Sequence, residues 1–119
     1  ICPSNPYLSV EPLLAMPALA SLVDSVPTVA VSPIIGGAAV KGPAAKLMRE
    51  LGRRTDVAGM AEHYGARVDA WVIDTMDAAL APEVAAGGAR VRATATLMKS
   101  QADSEALARE TLALLRSLM

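Results

Sequence analysis

The sequence predicts an α/β fold: a three-layer arrangement in which a mainly parallel sheet carries helices on both faces, forming an incomplete portion of a larger domain. Three observations carry that expectation. Short β-like runs alternate with helix-like stretches, the order that βαβ units produce. Hydrophobic residues make up 53% of the chain but aromatic ones only 3%, with no Phe, so Ala, Val, Leu and Met must fill the core, as suits helices laid on a buried sheet. The chain opens on Ile1-Cys2-Pro3 without an initiator Met, as expected of the last residues of a strand entering a loop.

The elements follow in order. The β-like runs are the stub at residues 1–2, then 28–32 (Thr-Val-Ala-Val-Ser), 70–74 (Ala-Trp-Val-Ile-Asp) and 90–94 (Arg-Val-Arg-Ala-Thr). Residues 11–25 predict a helix: Pro12 suits its first turn, Leu13, Leu14, Leu19, Leu22 and Val23 form a stripe, and Pro17 should kink or split it. Gly42-Pro43 opens a clearer helix over 43–51 that ends at a Gly52 cap. Residues 56–64 form another, capped by Thr55 or Asp56 and stopped by Gly65. The Ala-rich stretch 77–86 is interrupted by Pro82 and closed by Gly87-Gly88, which predicts a two-part segment. Last comes an amphipathic helix over 103–119, capped by Asp103 or Ser104, with Leu107, Thr111, Leu112, Leu115 and Leu118 at helical spacing. No repeat or linker divides the 119 residues, which suffice for one modest core. The order of these elements makes the expected sheet Rossmann-like.

Charge and cysteine content narrow the function. The formal net charge is −1 with acids and bases interspersed, so no nucleic-acid footprint and no membrane-surface patch is expected. No apolar run approaches the roughly 20 residues that span a bilayer, which predicts a cytoplasmic protein. The single cysteine, Cys2, excludes an internal disulfide and a Cys-rich zinc site.

Two Pro/Gly/Ser loops, residues 2–9 and 32–43, are the expected ligand-handling parts, because ligands of parallel α/β sheets gather beyond the carboxyl ends of the strands. In the first, two prolines stiffen the backbone, and Ser4, Asn5 and Ser9 offer hydrogen-bonding groups ahead of a helix. Such a loop can hold phosphate oxygens or a heterocycle edge, or act simply as a turn with a helix cap. In the second, Gly36-Gly37 permits close backbone approach and Lys41-Gly42 stands before a helix, a combination that favours an anion or, more plainly, a glycine hinge with a solvated lysine. It is neither a Walker A loop nor a dinucleotide fingerprint.

Other chemistry-bearing residues have structural readings. Asp74 and Asp77 could bind Mg²⁺ or orient a hydroxyl, but helix capping is favoured for both. His63 has no second His, Cys set or serine motif around it and is expected to be structural. Cys2 lacks a His partner, so covalent thiol catalysis is rejected. The leucine stripe of the last helix is expected to be core.

Ile-Cys-Pro-Ser-Asn-Pro at 1–6, Val-Ser-Pro-Ile-Ile-Gly-Gly at 31–37 and Lys-Gly-Pro-Ala-Ala-Lys at 41–46 resemble the 2-phospho-L-lactate transferase family. Glu62-His63-Tyr64-Gly65, Val72-Ile73-Asp74 through Asp77-Ala78-Ala79-Leu80, and Thr96-Leu97-Met98 extend the likeness along nearly the whole chain. The resemblance implies an enzyme that moves a phospholactyl or phosphoenolpyruvyl group from a guanylyl-activated donor to a deazaflavin hydroxyl. It releases GMP, requires Mg²⁺ and makes a precursor of coenzyme F420. Family members are longer and begin with a glycine-rich strand-to-helix turn followed by acidic residues implicated in nucleotide and metal binding. Neither is present here, so residues 1–119 are expected to be the C-terminal portion of a single α/β transferase domain, with isolated activity not expected.

Displacement at phosphorus is helped by cations and oriented amides, which makes Lys41 the catalytic candidate and Gly36, Gly37 and Gly42 its substrate-binding neighbours. Ser4 and Asn5 are expected to position nucleotide or deazaflavin, with Asp74 a secondary candidate. No residue is assigned as metal ligand or general base. Oligomeric state stays open, a homodimer included, as does the choice between phospholactate and phosphoenolpyruvate. Two competing readings are a nucleotide- or sugar-nucleotide-binding regulatory protein that does not transform its ligand, and a noncatalytic segment that keeps only the helix-covered sheet.

Overall fold

A computed structural model describes residues 1–119. The strands in chain order are β1 (Val29–Val31), β2 (Ile34–Ile35), β3 (Ala38–Ala39), β4 (Ala70–Asp74) and β5 (Arg90–Thr94). The helices are α1 (Glu11–Leu14), α2 (Pro17–Asp24), α3 (Ala44–Glu50), α4 (Val57–Tyr64), α5 (Ala81–Ala85) and α6 (Gln101–Leu118). The main sheet has the order β1-β4-β5 and is parallel throughout, with Ala30 opposite Trp71 and Trp71 opposite Val91. The strand stub expected at the start of the chain is present as one residue. The Ile1 nitrogen donates to the Val29 carbonyl (2.6 Å) and the Val31 N–H donates to the Ile1 carbonyl (3.0 Å), the pairing of a parallel neighbour on the free edge of β1.

Period-two alternation decides which residue meets which layer. Ala30, Trp71 and Ile73 face one way and join Met48, Val57, Met60 and Val84 in the larger core, which α3, α4 and α5 cover. Val29, Val31, Ala70 and Val72 face the other way and pack against Leu107 and Leu114 of α6. Helices therefore lie on both faces of the sheet. At the β5 edge, Arg92 pairs with Glu110 (2.9 Å) and Arg90 donates to the Ser117 carbonyl (2.8 Å), so the strand's arginines hold α6 in place.

Most boundaries sit where local chemistry puts them. Pro17 splits the first helical stretch: the segment running through a π-type turn (Pro6–Val10) and α1 meets α2 at 96°. Asp56 caps α4 through the Gly59 N–H (2.8 Å), and Gly65, at φ +56°, ends it. The 77–86 stretch is two-part, a 3-10 segment (Thr75–Leu80) followed by α5. No single helix is long and apolar enough to cross a membrane.

Two expectations about α6 are corrected. The α6 cap is Ser100 rather than Asp103 or Ser104: its hydroxyl accepts the Asp103 N–H (3.2 Å) while the Asp103 carboxylate accepts the Ser100 N–H (3.1 Å), a capping box. The expected stripe on α6 packs on the sheet at Leu107, Leu115 and Leu118 and also takes in Leu114, whereas Leu112 is 50% exposed, because a seven-residue step returns to the same helix face and a five-residue step does not. The stripe of 11–25 touches the core lightly: Leu14 packs against the larger core, and no residue of α1 or α2 is fully buried.

Gly59 sits where a side chain has no room. A Cβ there would overlap the Arg54 carbonyl, and the Arg54 chain is itself fixed by ion pairs to Asp56 (2.7 Å) and Glu83 (2.5 Å) that tie α4 to α5. Gly59→Ala should therefore lower stability by about 1–3 kcal/mol through overpacking, read as a lower urea midpoint with unchanged slope.

Candidate functional site

At the carboxyl ends of the parallel strands the chain opens into a cavity of about 190 Å³. Four segments build its wall: Pro3-Ser4-Asn5 after Ile1, Ser32-Pro33 after β1, Val40-Lys41 after β3, and Thr96-Leu97-Met98 after β5, with Ile35 and Ala44 closing it. The two loops singled out in the sequence thus meet in one place. Of the candidate residues, Ser4, Asn5 and Lys41 line the cavity. Gly36, Gly37 and Gly42 do not.

Each wall segment is held by local bonds. Ser32 continues the β1 ladder by donating its N–H to Val72 (2.9 Å), and its hydroxyl accepts the Ile34 N–H (3.1 Å), turning the chain sharply at Pro33. Asn5 caps the Pro6–Val10 turn, its Oδ1 accepting the N–H groups of Tyr7 (2.9 Å) and Leu8 (3.0 Å). Lys41 is exposed and enters none of the chain's ion pairs. It is the cavity's one cationic side chain.

Gly36 and Gly37 form a turn outside the cavity lining. The stretch 34–39 is a β-hairpin, β2 and β3 pairing antiparallel, and both glycines lie at positive φ (+58° and +80°) in its two-residue turn, as a primed turn requires. The Gly36 N–H donates to both carboxylate oxygens of buried Asp77 (3.0 and 3.2 Å), so this amide already has an anion, one supplied by the protein itself. Gly42, also at positive φ (+74°), turns the chain between Lys41 and α3.

Asp74 is a clasp. Buried at the end of β4, it accepts the Met76 N–H through Oδ1 (2.9 Å), which starts the Thr75–Leu80 segment, and through Oδ2 the N–H (2.9 Å) and hydroxyl (3.0 Å) of Thr96 beyond β5. Burial works against its charge, but these hydrogen bonds outweigh it and hold the carboxyl below the usual aspartate range. Thr96 is a wall residue that sequence reasoning did not single out as a site residue. Its signal was position, two residues beyond the fourth strand-like run.

With Asp74 and Asp77 engaged in this way, the residues present do not by themselves fit a Mg²⁺ ion, and no three His, Cys, Asp or Glu side chains converge elsewhere. His63 is packed edge-on between Tyr7 (ring centroids 4.8 Å) and Tyr64 (5.2 Å), and burial lowers its pKa, so it is a neutral packing residue. Burial likewise pushes the Tyr64 phenol up to about 12. Cys2 is exposed and lies outside the cavity wall.

Residues 1–114 match the family model described as 2-phospho-L-lactate transferase CofD. Among curated proteins, the chain is similar to a phosphoenolpyruvate transferase of Streptomyces griseus, 39% identical over 94% of this chain and 36% of that protein. It is also similar to a 2-phospho-L-lactate transferase of Methanopyrus kandleri, 40% identical over 100% of this chain and 38% of that one. A 2-phospho-L-lactate transferase of Methanocaldococcus jannaschii is 40% identical over 92% and 34%. The chain spans just over a third of the length of the curated relatives it matches.

Asp74→Asn should cost about 2 kcal/mol, since an amide turns one hydrogen-bond acceptor into a donor facing N–H groups. Because the folded-state pKa is depressed, the stability due to Asp74 is fully present above the unfolded value of about 3.9 and is lost as pH falls through the folded value. Urea melts across that range should show a shallower acid loss in the variant than in the parent.

Proposed function

The chain belongs to the 2-phospho-L-lactate transferase family, and from that premise we propose that the full-length protein makes a precursor of coenzyme F420. It transfers a phospholactyl or phosphoenolpyruvyl group from a guanylyl-activated donor to a deazaflavin hydroxyl in the cytoplasm. The observation that carries this reading is the family match over residues 1–114. The cavity at the strand ends supports it by offering an isolated cation beside hydroxyl and amide groups, with apolar walls at Pro33, Ile35, Leu97 and Met98 suited to a flat ring.

In this reaction the acceptor oxygen attacks the phosphorus of the transferring group, a new P–O bond forms, and the P–O bond to the guanylyl phosphate breaks. GMP leaves with the bonding pair, and the hydroxyl proton passes to a base outside this chain's assigned residues. Negative charge is carried by the phosphoryl oxygens and by the leaving phosphate throughout. Lys41 neutralises that charge from the cavity rim, an interaction that strengthens as the leaving group departs. Ser4 and Asn5 position substrate. Gly36, Gly37 and Gly42 act indirectly, by shaping the arm that carries Lys41. Mg²⁺, which this reading requires, takes its ligands from parts of the full-length protein beyond these residues.

The test is an assay of the full-length protein with deazaflavin and each donor, followed by product mass and GMP release. GMP formation dependent on Mg²⁺ is expected; no GMP under saturating conditions refutes the assignment. Lys41→Ala should lower transfer by about 10²-fold while moving stability by less than about 0.5 kcal/mol, as for an exposed surface substitution. Activity equal to the parent removes Lys41 from the mechanism.

A further inference from the structure

Asn5 differs from its neighbours in the cavity wall because one end of its amide is committed and the other is not. Oδ1 receives the Tyr7 and Leu8 N–H groups, which fixes the orientation of the amide: exchanging oxygen and nitrogen would set donors against donors. Nδ2 is thereby defined as the free end. It is buried and has no hydrogen-bond partner. Buried donors are nearly always paired, and one left unpaired is destabilising. The other buried side-chain polar atom without a partner, Tyr7 Oη, belongs to a residue outside the cavity lining, whereas Asn5 lies in the wall beside Ser4, Ser32, Lys41 and Thr96. The three hydroxyls of that wall can donate or accept; an amide NH₂ only donates.

We propose that Asn5 Nδ2 is a specificity-determining donor reserved for an acceptor oxygen of the bound substrate, a carbonyl of a heterocycle or a phosphoryl oxygen. The proposal rests on the reading that this cavity takes the transferase substrates. Sealing Nδ2 from solvent keeps water from competing for it, so the substrate oxygen that displaces the covering wall meets an unhydrated donor. Ligands presenting a donor at that point are rejected, because the pinned amide cannot turn over to receive them.

The experiment uses the full-length protein, with deazaflavin and GDP titrated separately against the parent, Asn5→Ser and Asn5→Asp. Both substitutions keep an oxygen to cap the Tyr7 and Leu8 N–H groups, and both remove the amide donor. The neutral serine separates lost donation from charge repulsion. Asn5→Ser is expected to bind at least one probe about tenfold or more weakly with an unchanged unfolding midpoint. Weakening of deazaflavin identifies a ring carbonyl, and weakening of GDP identifies a nucleotide oxygen. Binding of both probes within twofold of the parent overturns the proposal. So does loss of thermal stability in both variants along with binding, since Asn5 would then serve the fold alone. A parent that binds neither probe overturns the transferase reading itself, a separate outcome.

Discussion

The Asp74 carboxylate is the point on which the strand ends depend. One buried side chain stops β4, starts the turn that follows it, and holds Thr96 beyond β5 through two hydrogen bonds. Three residues on, Asp77 grips the Gly36 amide and so fixes the tip of the β2-β3 hairpin. A single stretch of four residues thereby places two of the four cavity walls, the one carrying Thr96 and the one leading to Lys41. Burial opposes the Asp74 charge, but the donors of Met76 and Thr96 on its two oxygens favour the ionised form and hold its pKa down.

Much of the fold was legible because it is written in local chemistry. Pro17 breaks a helix wherever it stands in one, Asp56 precedes an apolar run that needs a cap, and Gly65 has the backbone freedom to stop α4. What was not legible depended on signals with two meanings. A Gly-Gly pair marks both an anion-binding loop and a hairpin turn, since each needs positive φ, and the flanking Ile34-Ile35 and Ala38-Ala39 that decide between them are too short to read as strands unaided. At α6, Ser100, Asp103 and Ser104 all suit a cap, and Leu112, Leu114 and Leu115 crowd one turn, so only the docked position of Leu107 fixes the phase.

The candidate site was legible by half. Ser4, Asn5 and Lys41 could be chosen because polar groups beside prolines and glycines at strand ends are where α/β proteins place ligands. Thr96 could not, because its place follows from a carboxylate 22 residues earlier, on a neighbouring strand. Nor could sequence tell that Gly36, Gly37 and Gly42 stand outside the cavity lining. Family membership supplied the chemistry, and the fold showed which residues share a cavity in which that chemistry could be done.

The hairpin has a consequence for how tightly an anion can be held. A lysine on a floppy loop must give up many chain conformations each time it closes on a ligand, and that loss is subtracted from affinity. Here the chain leading to Lys41 is tied as far as Ala39 by the paired β2 and β3, the two-glycine turn between them and the Asp77 clamp. The entropy of the hairpin backbone is thus surrendered once, during folding, and is not charged again against any group that docks beside it.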